Sequence, residues 1–329
     1  MPVKKISVVI IAYNRKNYIM QAVSSVLNQT LDKAFYEIIV VKNFIDATID
    51  DFLKKNGVKN IYNKDERQGK QWIVGINESD GDVISFLDDD DISDKNRMSR
   101  VYEIFNKYNI QYYRNSYINI DDKGAIIHSN ELRNFDKLIY YEHSFEIPIT
   151  TLSNIVNSSG TSVKKALLLK YAGTLELLYI SGDRFINELC YLEDVGAFYD
   201  SEKLTYYRVH RSSSHVIAQN VDAYLQSNLF VTERSISDHR LILQFCKGTK
   251  LYELIYYYLL VLENHIYVIK KMMRRLSMAE YKYLFVHAYK YKLYFDWIET
   301  LIGFFGVFGY RFRSKLLYRF NNLLISRFN

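Results

Sequence analysis

Residues 81–92 read Gly81-Asp82-Val83-Ile84-Ser85-Phe86-Leu87-Asp88-Asp89-Asp90-Asp91-Ile92. The short apolar run from Val83 to Leu87 predicts a buried strand that ends directly on four consecutive aspartates. Four carboxylates side by side cannot all ionise without a compensating cation, because like charges a few ångströms apart repel. A divalent ion that prefers hard oxygen ligands, Mg²⁺ or Mn²⁺, meets that need; such ions take one or two carboxylates while phosphates and waters complete the shell. That points to a diphosphate-bearing substrate. Taken alone, the acidic run reads equally as a solvated loop leading into a helix near Asp94.

The surroundings of that stretch decide the fold class. Upstream, Ile6 to Ile11 is a continuous apolar strand, and Asn14 is placed to cap a helix carrying Ile19, Val23, Val26 and Leu27 at helical spacing. A strand at Glu37 to Val41, a helix at Asp50 to Lys55, a strand at Asn60 to Tyr62 and a helix at Gln71 to Asn77 follow. Downstream come a helix at Arg97 to Tyr108, strands at Tyr112 to Asn119 and Ala125 to His128 around the turn Asp121 to Gly124, and a strand running into a helix at Thr161 to Tyr171. A helix at Gly182 to Cys190 and a last strand at Leu204 to Tyr207 close the series; residues 130–160 read as a loop-rich region facing the site. The alternation predicts an α/β, Rossmann-like domain with a mainly parallel sheet. Ligands of such sheets sit beyond the carboxyl ends of the strands, where the aspartates are.

The 329 residues are 49% hydrophobic and 24% charged, which excludes a disordered or collagen-like chain. Two cysteines, Cys190 and Cys246, make neither a disulfide framework nor a four-ligand zinc site, and suit a reducing, cytoplasmic setting. The N-terminal apolar run is too short for a secretory signal and reads as a first buried strand. The net charge of +6 is unevenly spread: residues 1–215 carry 27 basic against 29 acidic side chains, residues 216–329 carry 16 against 8. From residue 216 onward proline is absent and helical spacing persists, which predicts two domains, an α/β domain over 1–215 and an all-helical module over 216–329.

Four blocks resemble a known family: Ser7 to Arg15 (SVVIIAYNR), Ser25 to Thr30 (SVLNQT), Gly81 to Ile92, and Tyr206 to His215 (YYRVHRSSSH). In that order and spacing they are similar to the first domain of family 2 glycosyltransferases, whose fold is called GT-A. The resemblance covers roughly residues 5–215 and implies a nucleoside-diphosphate sugar donor of UDP or GDP type, a divalent metal, Mn²⁺ or Mg²⁺, and inverting transfer to a glycan or lipid-linked acceptor. It puts the family's Asp-x-Asp motif on Asp88-Asp89-Asp90, with Asp90 and Asp88 as metal ligands and Asp88 and Asp89 beside the donor. It implies further donor contacts at Ala12, Tyr13 and Arg15, and diphosphate or metal contacts at Arg208 and His210. The general base falls on Asp183, in Ser181-Gly182-Asp183-Arg184-Phe185; Glu193-Asp194 is the second choice. A helix N-terminus favours the ionised carboxylate that a base requires, although a simple helix cap is the alternative. Asp65, Arg67 and Lys70 lie where the family contacts nucleotide or phosphate.

The chain departs from the family after its second strand. An acidic pair that reads the nucleotide base is replaced by Lys42-Asn43-Phe44-Ile45-Asp46. Lysine cannot accept the imide proton of uracil; the Asn43 amide oxygen can, and Asp46 offers a carboxylate.

The basic helical module lacks an uninterrupted run of the roughly 20 apolar residues a membrane span needs. Aromatic, aliphatic and basic residues over 300–329, with Lys270 to Arg275, suit an interfacial helix lying on the cytoplasmic face of an anionic membrane. Packing on the catalytic domain or on a second subunit is the alternative. No nucleic-acid motif is present, so nucleic acid is not an expected partner. Two other functions remain open: a catalytically silent nucleotide-sugar-binding scaffold, and a nucleotidyltransferase, for which a glycine-rich triphosphate loop is missing.

Overall fold

The computed structural model describes residues 2–128, 137–139, 157–193, 195–209, 221–249, 251–269, 276–290, 294–305, 315 and 319. Two compact units account for them, one running from residue 2 to Val209 and the other from Val221 onward. The boundary expected at residue 215 lies outside the described residues.

The first unit contains, in chain order, β1 (Ile6–Ala12), α1 (Ile19–Leu27), β2 (Tyr36–Lys42), α2 (Ala47–Lys55), β3 (Lys59–Tyr62), α3 (Gln68–Asn77), β4 (Val83–Asp88), β5 (Ile92–Ser93), α4 (Arg97–Lys107), β6 (Tyr112–Ile120), β7 (Ile126–His128), β8 (Lys137–Ile139), β9 (Thr161–Lys164), α5 (Lys165–Lys170), α6 (Ala172–Leu175), α7 (Gly182–Leu192) and β10 (Ala197–Arg208). The sheet runs β3-β2-β1-β4-β9-β6-β10-β5, with β7 on β6 and β8 on β10. Its first four strands are parallel; β9 enters antiparallel between β4 and β6, and β6 and β10 are again parallel.

Alternate residues of β1 face opposite layers, both buried, which is why every residue of this strand but Ser7 is apolar. Val8 and Ile10 pack with Ile19, Val23 and Val26 of α1 and with Met98, Val101 and Ile104 of α4. On the other face α3 comes so close that a Cβ on Gly75 would stand 2.6 Å from Val9 Cγ1. Each fully buried aliphatic side chain here contributes about 1.5–3 kcal/mol.

Several expected boundaries shift. Asn14 does not cap a helix: it takes a left-handed backbone conformation, φ 58°, which asparagine tolerates better than most residues, and α1 begins at Ile19. Its N–H donates to Asn43 Oδ1 at 2.8 Å while Asn43 Nδ2 donates to Asn14 Oδ1 at 2.9 Å, tying together the ends of β1 and β2. Helix α2 starts earlier than expected, capped by Asp46, whereas α4 starts at Arg97 as expected. The strand expected at Leu204 to Tyr207 is the end of a twelve-residue strand, β10.

The second unit is helical: α8 (Val221–Phe245), α9 (Leu251–Ile269), α10 (Met278–Lys290) and α11 (Tyr294–Phe305). Tyr257, Leu260, Tyr281, Leu284 and Ala288 form one buried cluster and Ile236, Leu259 and Ile266 another. Polar pairs cross the helices. The Tyr257 hydroxyl donates to Asp296 Oδ2 at 2.8 Å, His265 Nδ1 lies 2.7 Å from Glu299 Oε1, and Asn264 Nδ2 donates to the Glu299 carbonyl at 3.0 Å. Among the described residues no helix is long and apolar enough to cross a membrane. The basic segment 270–275 and most of 306–329 lie outside the described residues; Lys315 and Arg319 are helical and exposed.

Candidate functional site

Strands β1 and β4 end side by side, Ile11 opposite Asp88, so the turn after β1 meets the aspartates at the carboxyl edge. Arg15 emerges from that turn and forms ion pairs with Asp89 and Asp90. Burial works against the guanidinium charge, yet Asp89 and Asp90 outweigh it and raise the Arg15 pKa. Asp88 is held from another direction: Ser158 Oγ donates to its Oδ2 at 2.6 Å, and its backbone N–H donates to Ser159 Oγ at 3.0 Å. Asp91 Oδ1 accepts the Arg208 N–H at 2.8 Å. Carboxylate oxygens of Asp88, Asp90 and Asp91 lie within 4.8 Å of one another.

This crowding shifts the acids upward. Burial, then the charge of Asp90, pushes Asp88 up to about 6, and burial pushes Asp89 up to about 7 against the pull of Arg15. Asp91 is raised well above the carboxylate range by burial, then by Asp90 and Asp88. A trio of converging, anionic, hard oxygen donors fits a divalent cation of the Mg²⁺ or Mn²⁺ kind. Asp89 is turned toward Arg15, and Asp91 takes its place beside Asp88 and Asp90.

Asp183 reaches the same site through α3. The N–H groups of Gln68 and Gly69 donate to the carbonyls of Tyr179 and Leu178 at 3.0 and 3.1 Å, and Gly182 N–H donates to Gln68 Oε1 at 3.3 Å. Trp72, buried on α3, packs on Phe86 of β4 with ring centroids 4.5 Å apart. Gly182 presses so closely on it that a Cβ would stand 2.4 Å from Trp72 Cζ3. The start of α7 is thereby fixed near β4, with Asp183 half-buried in its first turn. Its Oδ1 accepts the Arg184 N–H at 2.7 Å. Burial raises its carboxyl pKa while Arg184 and Arg114 oppose, and its charge in turn raises Asp88. The base candidate and the acid cluster therefore belong to one electrostatic site.

Other residues singled out in the sequence fall differently. Tyr13 stands exposed just past β1, and Ala12 is buried at its end. Lys42 is buried, pairs with Asp50 at 2.8 Å and donates to the Phe44 carbonyl, which draws it away from any base-reading position. Asp46 caps α2 and pairs with Lys16 at 3.1 Å. Asp65 and Arg67 pair with each other, and Lys70 pairs with Glu176 at 2.6 Å. Glu193, just past the end of α7, lies ten residues and about 15 Å along the helix from Asp183 and is bonded to Lys170 and Tyr171. Asp194 and His210 lie outside the described residues.

Arg208 departs furthest from its expected role as a diphosphate contact. It is 1% exposed, and its guanidinium donates to the carbonyls of Asp90 at 2.7 Å, Asp121 at 2.9 Å and Asp122 at 3.1 Å and to Gln21 Oε1 at 2.7 Å. It also lies 4.5 Å from the centroid of the Tyr18 ring. Its donors brace the acidic loop from beneath. Sequence reasoning missed the serines that hold Asp88, and it missed two buried arginines, Arg97 and Arg114. Arg97 donates to Asn115 Oδ1 at 3.1 Å and the Phe86 carbonyl at 3.1 Å, with burial bringing its pKa down to about 10.

Residues 7–164 match the family model described as glycosyl transferase family 2. An uncharacterized glycosyltransferase of Rickettsia bellii is 31% identical over 129 residues, 38% of this chain and only 18% of that relative's length. An uncharacterized glycosyltransferase of Nostoc sp. is 23% identical over 252 residues, 71% of this chain and 75% of its own. Among solved structures, S. aureus TarS 1–349 in complex with UDP-GlcNAc aligns with a TM-score of 0.55 at 13% identity, covering 94% of this chain and 90% of that one. At that identity the likeness is one of fold, and it bears out the GT-A architecture.

Proposed function

We propose that this chain, whose residues 7–164 match the model of glycosyl transferase family 2, is a metal-dependent, inverting glycosyltransferase of that family. It moves a sugar from a nucleoside-diphosphate sugar to an acceptor hydroxyl. The observation that supports this reading is that the carboxylates of Asp88, Asp90 and Asp91 converge at the carboxyl edge of the sheet in a domain that matches the family model, with Asp183 opening a helix whose start is held against Gln68 and Trp72 of α3. TarS, whose structures include complexes with UDP and UDP-GlcNAc, supports a donor of UDP type.

In this reading Asp88, Asp90 and Asp91 would hold a divalent ion, which would supply positive charge to offset that of the nucleoside diphosphate. Asp183 accepts the proton of the acceptor hydroxyl as its oxygen attacks the anomeric carbon; the bond from that carbon to the diphosphate oxygen breaks and the diphosphate leaves with the electron pair. A carboxyl raised by burial is a stronger base than an exposed one, which suits that task. Arg15, in contact with Asp89 and Asp90, adds a fixed positive charge where phosphates would lie. Ser158 and Arg208 keep the aspartates in place. The helical module, with its basic excess, docks on an anionic membrane or a partner and brings a lipid-linked or glycan acceptor to the site.

The test is release of nucleoside diphosphate from a panel of nucleotide sugars with Mn²⁺, in the wild type and in Asp183→Asn. Release that depends on metal and is lost in the variant supports the reading. Pyrophosphate release from a nucleoside triphosphate and a sugar phosphate would replace it with nucleotidyl transfer, and inactivity on every donor would favour a binding scaffold.

A further inference from the structure

Helix α10 has the apolar inner face that a helical unit needs: Tyr281, Leu284 and Ala288 are buried in its core. Its opposite face is not the polar one expected of a surface helix. Met278, Lys282, Val286 and Tyr289 follow one another at spacings of four, four and three residues, which sets them in one line on the exposed side. Met278 is 70% exposed, Val286 52% and Tyr289 83%. Ala279 and Lys290 are exposed along its flank. The line widens at α11: Phe285, four residues before Tyr289, meets Trp297 with ring centroids 6.1 Å apart, and Trp297 is 41% exposed.

Charge on this face has one sign. The single acidic residue of α10, Glu280, is turned to the start of the helix, where the Ser277 N–H donates to its Oε2 at 2.6 Å and its own N–H donates to Ser277 Oγ at 3.3 Å, a capping box. The exposed face of α8 is of a different kind. Asp222, Gln226, Glu233, Ser237, Arg240 and Gln244 line it at helical spacing, a polar face of mixed sign that suits water.

We infer that the outer face of α10, with Trp297 beside it, seats the helical unit on an anionic lipid bilayer. Met278, Val286, Tyr289 and Trp297 enter the headgroup region, and Lys282 and Lys290 meet the lipid phosphates. The inference rests on the reading of the helical module as a docking element and names its surface and its partner. Aliphatic and aromatic side chains interleaved with lysines are what an interfacial helix presents to lipid. Lysine is depleted at the centre of protein–protein contacts, which argues against a protein partner. A second copy seated on the same face would gather the lysines of both copies with no acidic residue of α10 to answer them. The sequence around the helix keeps the sign: Lys270, Lys271, Arg274 and Arg275 precede it, and residues 216–329 carry 16 basic against 8 acidic side chains.

The experiment is flotation of the full chain with phosphatidylcholine vesicles, pure or containing about one third phosphatidylserine, at about 0.1 M salt. The wild type floats with the anionic vesicles and not with the neutral ones, and bromine-labelled acyl chains quench emission that is missing in Trp297→Phe. Lys282→Glu with Lys290→Glu, and Met278→Ser with Tyr289→Ser, each weaken vesicle binding by at least about tenfold. Lys54→Glu with Lys55→Glu, the same change of net charge on exposed residues of α2, weakens it by less than about threefold. All these side chains are exposed, so the variants keep the fold. Wild-type affinity in both α10 variants overturns this face while leaving a membrane-docking module. A wild type that floats with no vesicle overturns both, and self-association in sedimentation that Met278→Ser with Tyr289→Ser abolishes would then give the face to a second copy.

Discussion

Replacing Arg208 by methionine separates a structural role for this arginine from a direct contact to the donor. Methionine fills much of the volume but donates nothing. The carbonyls of Asp121 and Asp122 and the amide of Gln21 lie near the surface and re-pair with water, so their loss costs little. The Asp90 carbonyl is sealed, and leaving it unpaired costs about 1–3 kcal/mol. Loss of the guanidinium over the Tyr18 ring adds about 0.5–2 kcal/mol. The sum is about 1.5–5 kcal/mol, roughly 0.8–2.5 M in urea midpoint at an m-value of about 2 kcal/mol/M. Trp72 is buried in the first unit and the second of the chain's two tryptophans, Trp297, lies in the other. A Trp297→Phe background therefore makes fluorescence report the first unit alone. A midpoint within about 0.3 M of the parent, together with lost nucleotide binding, would refute the bracing role and return Arg208 to the diphosphate.

Ser158→Ala removes the 2.6 Å bond to Asp88 and lowers Mn²⁺ affinity by about tenfold in a calorimetric titration, with little change in thermal stability. Gly69→Ala places a Cβ 1.7 Å from the Leu175 carbonyl oxygen, a backbone atom that cannot step aside; the urea midpoint of the first unit falls by more than that of a surface alanine substitution, or the unit does not fold. His265 is raised above 6.5 by the Glu299 carboxylate, which outweighs burial. Its contribution to the helical unit is therefore fully present below the unfolded value and is lost as pH rises through the folded one. Urea midpoints followed at Trp297 fall as pH rises past the ordinary histidine value of about 6.5, and the fall disappears in Glu299→Gln.

Much of this was legible in the sequence, for identifiable reasons. Strands β1 and β4 are buried on both faces and so are apolar but for the small Ser7 and Ser85, and the aspartates follow Leu87 without a break. Asp183 was singled out by the place it holds ahead of the Tyr206 to His215 block in the resemblance to the family, while the Trp72 contact that demands Gly182 is invisible in sequence. Ser158 and Ser159 could not be found, since they sit about seventy residues from the aspartate they hold. Arg97, Arg114 and Arg208 defeat the rule that arginine sits outside, each serving carbonyls or carboxylates that the sheet brings together from distant segments. The polar run Asp200-Ser201-Glu202-Lys203 reads as a break in β10. Register shifts against β6 absorb it, and Asp200 turns inward to Arg100 at 2.8 Å and the Tyr113 hydroxyl at 2.9 Å.

The most direct test of the central claim is a calorimetric titration of the full chain with UDP and with GDP, each in Mn²⁺ and in EDTA, for the wild type and Asp90→Ala. The account predicts that one diphosphate binds in Mn²⁺ and that EDTA or the substitution weakens it by at least about tenfold. Equal affinity in EDTA and in Asp90→Ala would contradict it.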